Sequence, residues 1–571
     1  MSKTQPVKMP FEKYRPFPAV ELADRTWPAQ RIERAPVWCS VDLRDGNQAL
    51  VDPMDSTRKK RMWDLLVAMG FKEIEVGFPA ASQTDFDFVR ELIEGDEIPD
   101  DVTIQVLTQA RADLINRTFE AIDGAPSTIV HLYNSTSTTQ RRVVFGTDRA
   151  GIVDIAVNGA EICREGLERS SSPASIRWEY SPESYTGTEP DFAVEVCEAV
   201  MDVFEPTEEN PLILNLPATV EMSTPNLYAD MIEQFDRMIR DRGTVLLSLH
   251  PHNDRGTAVA AAEMGLMAGA DRIEGTLFGN GERTGNVDLV TIALNLFTQG
   301  VDPMLDMSDI DEMRRVYEFS NRMTVDPRHP YVGDLVYTAF SGSHQDAIKK
   351  GMADIYDVRP GEELRGDYEA WDVPYLPIDP RHLGRSYEAV VRVNSQSGKG
   401  GVAYVLLHEY GLDLPRGLQI DFANTIQEVA EGTGAEITSY EIHRRFMADY
   451  VEPADARVGI VGHRATSDTI DSGLTTLEAK LIVDGKERMV SGEGNGPIDA
   501  FVHALSSAGL FKGRIADYTE HTLGLGSDAT AAAYVAIDTG ARNLVWGVGL
   551  HESIVSASLR AIISAVNSSM S

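Results

Sequence analysis

From Trp38 to about residue 300, short β-rich runs alternate with amphipathic helical stretches, and this regularity limits the folds open to the chain. Parallel strands need helical crossovers, so β–α alternation predicts a parallel sheet covered by helices. The strand candidates are WCSVDL (38–43), KEIEVGF (72–78), VTIQVLT (102–108), STIVHLYN (127–134), SIRWEY (175–180), PLILNLP (211–217), VLLSLH (245–250) and DRIEGTLF (271–278). Helical patterns between them include STRKKRMWDLLVAMG (56–70) and AVAAAEMGLMAGA (258–270). Eight strands, each followed by a helix, over roughly 250 residues is the count of a closed (β/α)8 TIM barrel. A doubly wound open sheet is the structural alternative; eight regular units favour closure.

At 571 residues the chain exceeds one ordinary domain, and two or three are expected. Residues 1–37 are Pro-rich with little periodicity and read as an extended arm before a barrel domain at 38–304. From 305 to 434 the pattern turns irregular and helical, with VPYLPIDPRHLGR (373–385) as its Pro-rich part, and reads as a linker region. From 435 to 571 strands return in a weak internal repeat. The segments 477–509 and 543–565 each run from a strand through G-x-G into a helix, Gly492 and Gly494 answering Gly547 and Gly549. A pseudo-duplicated α+β module is predicted. By analogy, such modules on biosynthetic enzymes sense end products.

Composition narrows the function classes. Hydrophobic residues at 43% and charged residues at 25% are the balance of a soluble globular protein. A net charge of −36 argues against a nucleic-acid partner and requires any anionic ligand to be met by local Arg, His or metal. Cys39, Cys163 and Cys197 are too few and too far apart for a disulfide framework or zinc knuckle, which favours a reducing cytoplasm. The opening MSKTQPVKMPFEKYRPFP lacks an apolar signal core, and no apolar run reaches transmembrane length, so no membrane partner is expected.

The strongest local signal is Leu249-His250-Pro251-His252-Asn253-Asp254. Residues two apart in a strand share a side, so His250 and His252 can grip one cation. A lone His-x-His is more often a pair of polar loop residues. At the end of the seventh barrel strand, on the face where barrels do chemistry, that order reverses. After the first strand, Asp45 offers a carboxylate ligand and Arg44 a fixed positive charge, although the pair also reads as a surface ion pair before a turn. The segment 279–286 follows the eighth strand. Strands one, seven and eight adjoin in a closed barrel, so Asp45, His250, His252 and Asn286 converge on a mixed N/O site. That set suits Mg²⁺, Mn²⁺ or Zn²⁺ as a Lewis acid. Gly279-x-Gly281 and Gly524-x-Gly526 are incomplete dinucleotide fingerprints, and Ser397-Gly398-Lys399-Gly400-Gly401 lacks the pattern of a P-loop.

SVDLRDGNQAL, KEIEVGFPAASQTDFDFVREL, HPHNDRGTAVA and EGTLFGNGERTGNVDL resemble the DRE-TIM metallolyases, the barrel family that includes Claisen-condensing acyl-CoA synthases. The resemblance is closest to the long-form 2-isopropylmalate synthases, and RPFPAVELADRTWP and NSQSGKGGVAYVL extend it from about residue 15 to the C-terminus. It implies that Asp45, His250, His252 and Asn286 coordinate the metal and that Arg44 stabilises a developing oxyanion. Glu183 resembles the family's active-site glutamate. Thr219 resembles the residue that binds the oxo-acid carboxylate, with His131, Ser181, Asn215 and Pro217 shaping the same pocket. His344 and Tyr375 resemble linker residues that reach the partner subunit's site; by themselves they read as a surface histidine and a packed aromatic. The C-terminal repeat resembles a leucine-binding regulatory domain, with Gly494, Gly496, Ala500, Asp528, Ala529 and Ala531 near the effector. Each of those glycines also reads as a turn closing a strand onto a helix.

The resemblance implies a homodimer that condenses acetyl-CoA with 2-oxoisovalerate, is inhibited by leucine, and uses a divalent metal with a monovalent activator such as K⁺. His344 with Glu183 is the expected base and water-activating pair. Homocitrate or citramalate synthesis differs only in the oxo acid accepted. A lyase on the same scaffold has little need of an effector domain, and a catalytically dead leucine sensor has no reason to keep converging ligands.

Overall fold

The computed structural model describes residues 13, 15–171, 176–339, 342–357, 368–385, 399–433, 437, 439–453, 456–467, 473–523, 529–540 and 544–570. They fall into two units, Met1–Val336 with Pro380–Arg385, and Tyr337–Asp379 with Ser386–Ser571.

In the first unit eight parallel strands close into a barrel: β1 (Val37–Ser40), β2 (Glu73–Gly77), β3 (Thr103–Gln109), β4 (Thr128–Ser135), β5 (Ile176–Glu183), β6 (Leu212–Ala218), β7 (Val245–Pro251) and β8 (Arg272–Gly275). Cys39 of β1 lies beside Glu274 of β8, which seals the ring. The strands are followed by α1 (Ser56–Met69), α2 (Gln83–Glu94), α3 (Ala112–Ile122), α4 (Arg149–Arg169), α5 (Pro190–Phe204), α6 (Pro225–Met238), α7 (Ala258–Met267) and α8 (Leu289–Thr298). Local chemistry sets the helix ends. Asp55 caps α1 by accepting from the Arg58 N–H, and Gly70 ends it at a φ of 101°, a left-handed conformation that costs glycine little. Met62, Trp63, Leu66 and Met69 of α1 are buried, and such side chains each contribute about 1.5–3 kcal/mol of hydrophobic stabilisation.

The strands alternate in the opposite sense to a surface sheet. Outward residues such as Ile74, Val76, Leu247 and Leu249 are apolar and buried beneath the helices. Inward positions carry Glu73, Glu75, Gln105, His131, Glu179, Asn215, Arg272 and Glu274, all buried. Three strand ends differ from the sequence pattern, β8 among them, which stops at Gly275 instead of running on to Phe278. β5 continues past Tyr180 to Glu183. β1 stops at Ser40, and Asp42–Gly46 forms one wide helical turn closed by Gly46 N–H to the Val41 carbonyl at 3.1 Å. The described part of the N-terminal arm is tied to α6: Arg25 forks onto Asp230 at 2.7 and 2.9 Å, and Trp27 Nε1 donates to the same carboxylate at 2.8 Å. After the barrel, α9 (Ile310–Asn321) packs against α1 within this unit.

The second unit holds α10 (Gly342–Ile355), α11 (Lys399–Tyr410), α12 (Arg416–Thr433) and α13 (Ser439–Phe446), then the duplicated module. β9 (Val458–Ser467), β10 (Thr475–Val483) and β11 (Lys486–Gly494) form an antiparallel sheet closed by α14 (Pro497–Ser507). β12 (Arg514–Leu523), β13 (Thr530–Asp538) and β14 (Val545–His551) repeat it, closed by α15 (Ile554–Met570). The paired glycines are where each helix lies on its sheet. A Cβ on Gly492 or Gly494 would stand 2.4 Å from the Ala500 backbone, and one on Gly549 2.0 Å from the Ala557 carbonyl oxygen. No helix among the described residues is long and apolar enough to cross a membrane.

Candidate active site

Asp45, His250 and His252 meet at the C-terminal end of the barrel, all buried. Asp45 Oδ2 stands 3.5 Å from His250 Nε2 and 3.9 Å from His252 Nε2. The other oxygen, Oδ1, takes Arg44 Nη1 at 2.6 Å, so the turn after β1 aims one oxygen at the cation Arg44 and the other at the histidines. Oδ2 is buried with no hydrogen-bond partner, a costly arrangement for a carboxylate unless a ligand completes it. Glu274 Oε2 lies 2.8 Å from His250 Nδ1; a proton there leaves Nε2 facing Asp45, the way a carboxylate orients a metal-binding imidazole. The fourth expected residue joins them. Asn286 Oδ1 is 2.9 Å from His250 Nε2, while its amide donates to the Asn280 carbonyl at 3.0 Å. The glycines of the β8 loop make this possible. Gly285, at a φ of 99°, brings its backbone so near Gly279 that a Cβ would sit 1.9 Å from the Gly279 carbonyl oxygen.

Charge in the cluster is set by its surroundings. Burial opposes ionisation of Asp45, but Arg44 and both histidines outweigh it and hold the carboxyl well below its ordinary range. Burial lowers His250 too, yet Asp45 and Glu274 raise it to about 9. His252, pushed down by burial and by its neighbour His250, falls to about 4 and is neutral at pH 7. The donor set, two imidazoles and two oxygens with an unpartnered carboxylate oxygen, fits a divalent cation.

Arg44 is fixed from behind by Glu75 of β2, a residue the motif reading passed over. Its Nε pairs with Glu75 Oε1, and Glu75 Oε2 lies 2.8 Å from His131 Nδ1. His131 Nε2 is 2.7 Å from Ser181 Oγ, which accepts Asn215 Nδ2 at 3.0 Å. Asn215 Nδ2 also donates to Glu274 Oε2 at 3.1 Å, returning the chain of bonds to His250. Gln105 and Arg272 cross-link the same layer through Glu75, Glu274 and Glu73. Of the expected pocket residues, His131, Ser181 and Asn215 are thus parts of one bonded network. The missed acids carried a signal: in KEIEVGF, WEYSPE and DRIEG, charged or polar residues recur with period two on the face opposite the apolar one.

Above this layer opens a cavity of about 360 Å³ lined by Arg44, Asp45, His250 and His252 together with His131, Ser181, Glu183, Asn215, Pro217 and Thr219. Glu183 ends β5 and accepts from Ser135 Oγ. The next residue, Ser184, holds a φ of 61°, and its N–H donates to Thr219 Oγ1 at 2.9 Å. Backbone strain of that kind in a non-glycine residue persists only where neighbours enforce it. Arg283 spans the rim, bonded to Asp254 Oδ1 at 2.7 Å.

The remaining expected residues lie in the second unit. His344, exposed on α10, stacks on Tyr375 with ring centroids 4.0 Å apart, and Tyr375 is 62% exposed at a φ of 67°. Gly494 ends β11, Gly496 precedes α14 with open space around it, and Ala500 is fully buried in that helix. Ala529 precedes β13 and Ala531 is buried within it. Asp528 lies outside the described residues, as do Gly524, Gly526 and Ser397-Gly398.

Comparison with known proteins covers the whole chain. Residues 35–316 match the HMGL-like family, 334–407 the alpha-isopropylmalate synthase post-catalytic domain-like family, and 436–570 the LeuA allosteric (dimerisation) domain. The 2-isopropylmalate synthase of Parafrankia sp. (strain EAN1pec) is 61% identical over 567 residues, 99% of this chain and 98% of the relative. That of Rhodospirillum rubrum is 59% identical over 558 residues, 98% of each. That of Mycobacterium ulcerans is 58% identical over 98% of this chain and 99% of the relative. With a closed barrel, a buried His/His/Asp cluster at its C-terminal end and three matching domain models in order, the chain belongs to the 2-isopropylmalate synthase family.

Proposed function

We propose that the barrel cavity condenses acetyl-CoA with 2-oxoisovalerate and hydrolyses the thioester, consuming water and releasing 2-isopropylmalate and CoA at the entry to leucine biosynthesis. The observation that carries this reading is the buried, unpartnered Asp45 Oδ2 set between His250 and His252 beside Arg44. Asp45, His250, His252 and Asn286 would hold a divalent ion, Mg²⁺, Mn²⁺ or Zn²⁺, which when bound supplies a Lewis acid for the oxo acid's keto oxygen. A monovalent cation such as K⁺ is the expected further activator.

The chain's own groups account for the remaining steps. Arg44, kept charged against burial by Glu75 and Asp45, faces the cavity as a fixed cation for the oxyanion that forms when the acetyl carbanion attacks the keto carbon. Thr219 binds the oxo-acid carboxylate, while His131, Ser181, Asn215 and Pro217 bound the space for its isopropyl group. Glu183, at the end of β5, takes part in proton transfer at the acetyl methyl or the hydrolytic water, together with His344 of the partner subunit. Tyr375, stacked on His344, orients it. Leucine inhibits through the C-terminal module near Gly494, Gly496, Ala500, Asp528, Ala529 and Ala531, and the protein works as a homodimer in the cytoplasm.

The test follows CoA release from acetyl-CoA with Mg²⁺ or Mn²⁺, offering 2-oxoisovalerate, pyruvate and 2-oxoglutarate in parallel, with and without leucine. Preference for 2-oxoisovalerate, suppressed by leucine, is expected. Preference for another oxo acid would reassign the substrate, and no release with any would remove the condensation reading.

A further inference from the structure

Lysine is almost never fully buried unless it is paired. Lys59, on the inner face of α1, has a side chain that is 0% exposed. Its ammonium lies 2.8 Å from Asp85 Oδ1 of α2, and it donates to the Leu43 carbonyl at 3.1 Å and the Val76 carbonyl at 3.2 Å. Three donors meet three acceptors, so the group is satisfied within the protein.

The identity of those carbonyls matters more than their number. The Leu43 carbonyl belongs to the peptide that joins Leu43 to Arg44, one residue before Asp45. The Val76 carbonyl belongs to the residue that follows Glu75, the carboxylate that holds Arg44. One ammonium therefore ties the turn after β1 to the end of β2 on both sides of the Arg44–Glu75 ion pair. Asp85 extends the clamp, its Oδ2 accepting the Phe78 N–H at 2.9 Å, and Phe78 lines the cavity. Gly77 lets this carboxylate close on the strand end, since a Cβ there would stand 2.9 Å from Asp85 Cγ. A buried ion pair is weak evidence for stability, because desolvation offsets much of its attraction; its best-attested use is to fix a register.

We propose that Lys59 is a positioning residue: it locks the Leu43–Asp45 turn against the end of β2, so that Arg44 and Asp45 meet the cavity in one geometry. Lys59 touches neither the cavity nor the ligand atoms and acts through Leu43, Val76 and Asp85. The assignment rests on the proposed function of the same site.

The experiment compares Lys59→Met in the full chain with Leu66→Ala, a cavity made at a fully buried position of the same helix. Thermal unfolding, kcat, KM for the oxo acid and Mn²⁺ affinity by electron paramagnetic resonance are measured on each. Lys59→Met is expected to lower kcat about 10–100-fold and weaken Mn²⁺ binding about tenfold, with a smaller change in KM. Leu66→Ala should lower the melting temperature while kcat and Mn²⁺ affinity stay within about twofold. If Lys59→Met does not fold, Asp85→Asn serves instead, because it keeps an acceptor for Phe78 and loosens the hold on the ammonium; about a tenfold loss in the same readouts is expected. A folded variant whose kcat and Mn²⁺ affinity both stay within about twofold of the unmodified chain would overturn the proposal. Should the unmodified chain release no CoA, the condensation reading fails, and the Mn²⁺ affinity ratio still decides the positioning role.

Discussion

The barrel mouth and the C-terminal module both bring backbone segments into close contact, but with opposite chemistry. At the mouth Lys59, Arg44 and Glu75, and deeper in the barrel Gln105 and Arg272, are buried and bridge neighbouring segments by hydrogen bonds. In the module Gly492, Gly494, Gly547 and Gly549 instead remove side chains so that α14 and α15 can lie on the strands. Buried charge gives directional groups that can hold an ion or an oxyanion, at a desolvation cost. Glycine contact gives close apolar packing and no chemistry. The two sheets of the module differ in turn. β13 is buried on both faces, with Ala531, Ala533, Val535 and Ile537 in the core shared with α14 and α15, and Ala532, Tyr534 and Ala536 against α11, α12 and α13. β10 alternates, Leu477, Ala479 and Leu481 inward and Glu478 exposed. A duplicated sequence has been placed in two environments.

This contrast can be broken at either end. His252→Ala should remove at least about a thousandfold of turnover, equivalent to about 4 kcal/mol of barrier, with unchanged circular dichroism. Activity within tenfold would detach the histidine from the chemistry. Glu75→Gln keeps the shape and a partner for Arg44 but loses the charge that fixes it. A fall of about 10–100-fold in kcat, larger than any change in KM, is expected from steady-state kinetics. In the module, Gly549→Val drives a side chain into the Ala557 carbonyl and should cost at least about 3 kcal/mol. Calorimetry should show a transition moved to lower temperature and the assay a lost response to leucine; an unmoved transition would refute the packing role.

The last expected effect is read in the pH dependence of stability and concerns Asp42, fully buried and raised by burial to about 7 although it accepts from Ser40 and the Leu277 N–H. A carboxyl whose folded value lies above its unfolded one stabilises the protein below about pH 4, and that contribution is lost as pH rises through 7. Asp42→Asn should flatten the fall in stability between pH 4 and 7 by on the order of 3–4 kcal/mol in urea titrations. An unchanged pH slope would mean that Asp42 ionises in the folded barrel over the ordinary carboxylate range.

The fold was legible because each strand carries an apolar face for the helices and each turn its own punctuation. The His-x-His pair, Asp45 and Asn286 were legible because strand order in a closed barrel brings the ends of β1, β7 and β8 together. Glu75, Glu274 and Lys59 were not. The two glutamates sit inside segments that read as ordinary strands, and Lys59 inside a run of basic residues that reads as a solvated helix face. Their roles depend on which side of α1, β2 and β8 faces the barrel, and that is settled only by packing. The glycine pairs were seen as a repeat, but a G-x-G between strand and helix reads equally as a turn or a ligand contact. The distances to Ala500, Ala557 and Ala565 give the packing contact that each of these glycines makes.

The most direct test of the account is Mn²⁺ binding to the unmodified chain and to His252→Ala, followed by electron paramagnetic resonance at pH 7. The account predicts a single tight site in the unmodified chain, weakened at least about a hundredfold in the variant. Equal affinity in the two proteins would contradict it.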